Sequence, residues 1–168
     1  MSTPDLGSRP IRALVDAIAS EHVSPGSGSA AALALALGAA CAGKAAAISL
    51  RHYPERLALQ GARMELERIA ARALSGAQED ADRFARFVHD HDPQSGKQLL
   101  RAGESLEHTA ERLERLIGEL EPLVAEVVRA DIGAARALCR AFLTIERANL
   151  RENRATVREE THPAAKPG

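Results

Sequence analysis

Three groups of residues in this chain have the types and spacing needed for chemistry. The first is Pro25-Gly26-Ser27-Gly28-Ser29, a short glycine–serine loop that runs into a long apolar stretch. Glycines let a backbone approach a ligand closely, and the free N–H groups opening a helix attract anions or carbonyl oxygens. The same letters also describe a flexible turn closed by Ser29 as a helix cap, and pattern alone leaves both readings open. The loop is too short for a nucleotide-phosphate cradle, and no Lys-Ser or Lys-Thr follows it. The second group is Gln78-Glu79-Asp80-Ala81-Asp82-Arg83-Phe84. Helical steps back from Val88 and Phe84 put Asp80 on or beside an apolar stripe, with Glu79 and Arg83 toward solvent. Desolvation at such an edge raises a carboxyl into the range useful for proton transfer, although an arginine-paired structural acid fits the spacing equally. The third group is Asn149 and Asn153, four apart on the face continued from Leu138, Phe142 and Ile145. Amides on a core-facing stripe need either a neighbouring helix or a ligand as partner. Asp131 reads as the N-cap of that last helix.

Other polar clusters promise less. His89-Asp90-His91-Asp92 invites a metal reading, but alternating side chains at a helix end diverge, so a solvated terminus and no metal are expected. Cys41 and Cys139 have no histidine near them in sequence, and both sit in apolar helical patterns. They read as small core residues of a reducing compartment.

The elements that must position these groups are helices. Ile11, Leu14, Val15, Ile18 and Ala19 recur at helical spacing and define a short first helix ending near His22. A breaker cluster over residues 23–29 follows, then an alanine-rich helix from Ser29 to about Arg51–Tyr53, closed by Pro54. Pro54 suits the first turn of a third helix, with Leu57, Leu66, Ile69, Leu74, Phe84 and Val88 as its core stripe and Gly76 as a point of interruption. Residues 89–96 read as a turn. A fourth helix spans about Lys97 to Leu120, with Leu106, Leu113, Leu116 and Ile117 inward, and Pro122 ends it. The last helix starts at Asp131 and fades after Val157. Residues 1–10 and 158–168 are expected to be a disordered leader and tail around one domain over 11–157. Short links between long helices force antiparallel neighbours, so the expected fold is all-α: an up-and-down bundle of about five helices around a central alanine-rich one.

Composition agrees. The chain has 168 residues, 45% of them apolar but only 2% aromatic, so its core must be built from small aliphatic side chains. A net charge of −1 argues against a nucleic-acid binder that relies on a basic face, with local basic patches left open, and no nucleic-acid partner is expected. The first ten residues hold no apolar run behind positive charge, so no secretory signal is expected, and a cytoplasmic location follows. Ser29 to Leu50 has the length of a membrane span, but half of it is alanine and Lys44 lies inside it. A bundle centre or a subunit interface needs the same composition, so no membrane partner is expected. Its apolar surface exceeds what one small bundle covers, which predicts a homodimer.

Taken in order, Ser24-Pro25-Gly26-Ser27-Gly28-Ser29 opening an alanine-rich helix, Asp80-Ala81-Asp82-Arg83-Phe84 about fifty residues on, and Asp131 with Asn149 and Asn153 on the last helix resemble the formiminotetrahydrofolate cyclodeaminase and methenyltetrahydrofolate cyclohydrolase family. The resemblance spans about residues 11–155. It implies a helical homodimer acting on a tetrahydrofolate derivative as substrate, with no tightly bound cofactor. It implies Asp80 as the catalytic acid/base. Pro25, Gly26, Ser27, Gly28, Ser29, Asp131, Asn149 and Asn153 would contact substrate, and Lys44, Arg51 or Arg151 could meet a glutamate tail. The chain departs from the family pattern in four places. Ser27 replaces the central glycine, a change that costs if the position needs positive φ. Arg51-His52-Tyr53 stands where Gly-Lys or Gly-Arg precedes an aromatic. Arg129-Ala130 replaces the Gly-Asn-Ser that leads into Asp131, and the link after His91 is shorter.

Overall fold

The computed structural model describes residues 5–161. Five α-helices account for most of them: α1 (Ile11–Ile18), α2 (Ser27–His52), α3 (Leu57–Asp90), α4 (Pro93–Leu120) and α5 (Arg129–Thr161). No strand occurs among the described residues. α2 packs against α3 and α5, and α4 packs against the same two helices from the opposite corner. The long helices therefore form a four-membered up-and-down bundle, with α1 as a short peripheral segment.

Small side chains set the spacing. Ala31, Ala32, Ala39, Ala42, Ala45 and Ala46 of α2 are fully buried, on more than one face of the helix. With methyl groups as the only spacers, α3 and α5 approach its backbone closely. Larger residues fill the remaining space: Leu35, Leu59, Leu66, Leu113, Ile117 and Phe142 are all buried, each contributing roughly 1.5–3 kcal/mol of transfer free energy. α2 has the length and hydropathy of a membrane span, yet half of that stretch is buried inside the bundle. It is the core helix of this fold.

Polar contacts fix the end of the bundle away from the glycine–serine loop. The buried Ser49 hydroxyl donates to the Ala45 carbonyl at 2.7 Å and accepts from Ala125 N–H at 2.8 Å, which ties the α4–α5 link to α2. Arg56 lies over the Tyr53 ring and donates to the Leu123 carbonyl. Glu65 and Arg112 join α3 to α4 through two parallel bonds of 2.7 and 2.8 Å.

Several boundaries differ from the expectation, each for a local reason. α1 ends at Ile18 and buries none of its residues, so Ile11 and Val15 stay exposed. Pro54 lies in the turn before α3, and Leu57 is exposed at the helix start. α3 runs unbroken through Gly76 because Leu106 of α4 packs directly on it, where any side chain would overlap. Leu74, expected in the core, is partly exposed. The turn after α3 is far tighter than residues 89–96. His91 adopts a left-handed conformation (φ 47°) that ends α3, and the Asp92 carboxylate caps α4 by accepting from Ser95 N–H at 3.0 Å, with Pro93 in the first turn. The His-Asp-His-Asp motif is thus a helix stop and a helix start.

The expected leader and tail are also partly structured. Leu6 is buried in a 3-10 turn, and its N–H donates to the Gln78 side chain at 2.9 Å. α5 continues to Thr161, beyond the expected start of the tail at residue 158. Residues 1–4 and 162–168 lie outside the described residues.

Candidate active site

The glycine–serine loop is laid across α3 by a short chain of bonds. The Ser24 hydroxyl donates to the Ala81 carbonyl at 2.8 Å, and the Ser24–Pro25 peptide is cis. Helix α2 starts at Ser27, with Gly26 as an N-cap that offers no side-chain bond. No N-cap side chain therefore serves the first N–H groups of α2. The φ angle at Ser27 is not positive, so serine fits where the family's pattern has glycine. Ser29 does not cap the helix, in contrast to the expectation. It is the third helical residue, fully buried, and its side chain turns toward α3.

There it meets Asp80. The Ser29 hydroxyl donates to the Ala77 carbonyl at 2.9 Å and to Asp80 Oδ2 at 3.1 Å, and the Ser29 backbone N–H also serves the carboxylate. One hydroxyl proton is divided between two acceptors. When Asp80 takes up a proton, Ser29 can keep its bond to Ala77 and accept from the new carboxylic acid instead. Burial pushes the Asp80 carboxyl above its ordinary value, while the Ser29 bonds and the charge of Arg83 pull it back. Gly28 makes this approach possible: a Cβ there would lie 2.5 and 2.6 Å from the two Asp80 oxygens. No other residue type fits opposite that carboxylate without displacing it.

α5 closes the third side. The Ser27 hydroxyl donates to Asn149 Oδ1 at 3.0 Å, joining residues 122 positions apart. Ser24, Gly26, Ser27 and Gly28 from the loop, Asp80 and Phe84 from α3, and Asn149, Glu152 and Asn153 from α5 enclose a cavity of about 120 Å³. It offers a carboxyl poised for proton transfer, amide groups that hydrogen-bond in both directions and one aromatic wall. That is equipment for binding and protonating a small polar group.

Of the expected substrate contacts, Gly26, Ser27, Gly28, Asn149 and Asn153 line the cavity with Asp80. Ser29 sits behind it, holding Asp80, and Pro25 does not reach the wall. Asp131 is placed elsewhere. It is the third residue of α5 rather than its cap, and its carboxylate accepts from Lys44 Nζ at 2.9 Å. Eighteen residues of helix, about 27 Å, separate it from Asn149. Lys44 is occupied by that pair, while Arg51 and Arg151 are exposed side chains away from the cavity walls. Cys139 is buried, donates to the Ala110 carbonyl and has its thiol pushed up to about 11 by burial, so it is inert at neutral pH.

Sequence reasoning missed Ser24 and Glu152 on the cavity wall, and more importantly Glu146. This residue of α5 is only 5% exposed. Desolvation, with the charges of Asp80 and Glu107 adding to it, pushes its carboxyl up to about 7. A signal was present: Glu146 stands four residues after Phe142 and four before Leu150, both of them core residues.

The chain matches the family model described as formiminotransferase-cyclodeaminase over residues 10–97, which include the loop and Asp80. Among solved structures it is similar to formiminotetrahydrofolate cyclodeaminase from Thermotoga maritima. The TM-score is 0.81 at 16% sequence identity, with 94% of this chain and 89% of that one covered. No curated protein sequence matches the chain. The family match takes in more than half of the sequence and carries both the serine–glycine entry to α2 and the carboxylate it packs on; the protein belongs to the formiminotransferase-cyclodeaminase family.

Proposed function

We propose that this protein is a folate-dependent one-carbon enzyme, a cyclodeaminase or a methenyltetrahydrofolate cyclohydrolase, in which Asp80 is the acid/base. The observation that carries the reading is the half-buried Asp80 carboxyl on the cavity wall, pressed on Gly28 and bonded by Ser29. In a cyclodeaminase the substrate's N10 attacks the N5-formimino carbon, a proton leaves N10, and ammonia departs as the methenyl bridge closes. One carboxylate accepting the first proton and returning it to the leaving nitrogen serves both steps. In a cyclohydrolase the same group takes the proton from water as it adds to the bridge. The cavity suits the reacting end of a folate rather than the whole molecule, with Asn149 and Asn153 orienting it and the rest lying outside. No tightly bound cofactor is needed for either reaction.

The reading includes a cytoplasmic homodimer. A groove between α2 and α3 is lined by Ala40, Ala47, Ala70, Ala71 and the exposed Leu74, with Lys44, Arg63 and Glu67 also in its lining, and Leu37 and Met64 stand exposed on the same two helices. Apolar side chains concentrated in this way mark a surface that is covered in the working assembly.

The test is turnover of 5-formimino- and 5,10-methenyltetrahydrofolate by the purified protein and by Asp80→Asn. The wild type should convert at least one of them. The isosteric variant should fold normally and lose at least about 1000-fold in kcat. Wild-type rates in Asp80→Asn would remove Asp80 from the chemistry. Tight folate binding without turnover would make the protein a binding module, and indifference to folates would point to another small substrate.

A further inference from the structure

Glu146 is the one strongly buried carboxylate of the described residues, and nothing in the reaction above uses it. No hydrogen bond or ion pair reaches its carboxyl among those residues. A buried charge without a partner is costly enough that the group prefers to be neutral. Its setting is built rather than accidental. Gly103 of α4 faces it, and a Cβ on Gly103 would overlap Glu146 Oε1. Two glycines on different helices thus make room for two carboxyls, Gly28 for Asp80 and Gly103 for Glu146. One and two turns further along α5, Asn149 and Asn153 line the cavity with Asp80. Glu146 itself is buried and is not among the residues that line the cavity.

We propose that Glu146 is a positioning residue for Asp80: a buried neutral carboxyl that keeps a further negative charge away from Asp80 and so lets Asp80 pass its proton on, while Glu152 is the other carboxylate of the cavity wall. The inference rests on the acid/base reading of Asp80. The charged groups around Glu146 support it. From α3 the charge of Asp80 acts on it, and from α4 that of Glu107; Arg83 is bonded to Glu79 at 2.8 Å and bears on Asp80 only through its charge. Its own neighbour Arg147 is engaged by Glu107 and Glu111 on the outer surface. α2 brings no charged side chain between Ser27 and Lys44. Burial first, then negative neighbours with no cation of its own to offset them, holds Glu146 protonated up to about 7. Ionising it would place a further negative charge near Asp80. Asp80 would then hold its proton more tightly and release it more slowly to a leaving nitrogen.

Two measurements test this, one independent of turnover. Carboxyl carbons are followed by NMR against pH in the wild type, with Glu146 assigned from Glu146→Gln. The expected midpoint for Glu146 is about 7, and Asp80→Asn should lower it by at least about one unit. A Glu146 midpoint in the ordinary glutamate range near ~4.3, or one that ignores Asp80→Asn, overturns the proposal. In the second measurement, wild-type kcat should fall about tenfold from pH 6 to pH 8, whereas Glu146→Gln should change less than about twofold. Superimposable profiles overturn the proposal as well. If the wild type turns over neither folate, the functional reading fails, and the titration still decides whether the two carboxyls are coupled.

Discussion

Substituting Glu146 by glutamine should make the protein more stable, and only above mildly acidic pH. In the unfolded chain a glutamate ionises near 4.5, whereas in the fold Glu146 does so at about 7. Between those values the native state holds a proton that the unfolded state has released. The unfolded state then binds fewer protons, so stability falls as pH rises across this window and levels off above it. A difference between 4.5 and about 7 corresponds to roughly 3 kcal/mol. Glutamine keeps the shape of the neutral acid and cannot ionise. Wild type and Glu146→Gln should therefore be about equally stable at pH 4.5 and diverge to a gap of ~3 kcal/mol by pH 8, worth roughly 10 °C in Tm for a domain of this size. The assay is urea and thermal unfolding at fixed protein concentration across pH 4.5 to 8, comparing the two proteins at each pH. The comparison cancels Glu65 and Glu121, whose carboxyls are held low by Arg112 and Arg136 and act in the opposite sense. A gap that stays constant with pH, whatever its size, would refute the argument.

Three further outcomes are expected. Gly28→Ala puts a methyl 2.5 Å from an Asp80 oxygen, so the carboxyl must swing off Ser29; stability should drop by about 1–3 kcal/mol and kcat by about 100-fold, read by thermal unfolding and turnover. Ser29→Ala removes a bond that favours the ionised carboxylate, so the Asp80 midpoint should move up, carrying the acid limb of the pH–rate profile with it; carboxyl NMR gives the first and kinetics the second. Met64→Glu, on the exposed face of α3, should convert a dimer seen by light scattering into a monomer; an unchanged mass would place the subunit contact elsewhere.

The four long helices were legible because a core stripe recurs in each, and they fell close to their predicted spans. Leu66, Ile69, Leu106, Leu113, Leu116, Ile117 and Phe142 are buried as their spacing required. Asp80 could be located because its step to Phe84 is local. Boundaries failed where a neighbouring helix decides them. Ser29 looks like a cap until Asp80 is beside it, and Asp131 looks like a cap until Lys44 is seen to hold it. Glu146 failed for the same reason with greater consequence. Its spacing between Phe142 and Leu150 put it on the core stripe, but the space that admits a carboxyl there belongs to Gly103, forty-three positions away on another helix.

The bond from Ser27 to Asn149 has a consequence for how the pocket comes into being. A chain emerging N-terminus first can pair α2 with α3 early, which brings the loop and the carboxylate together with one flank open to water. The asparagine wall arrives only with the final helix, after 122 further positions have been made, and contacts so distant in sequence are slow to close. The pocket therefore exists only once α5 has been made and docked, and a product that stops before Asn149 lacks one of its walls.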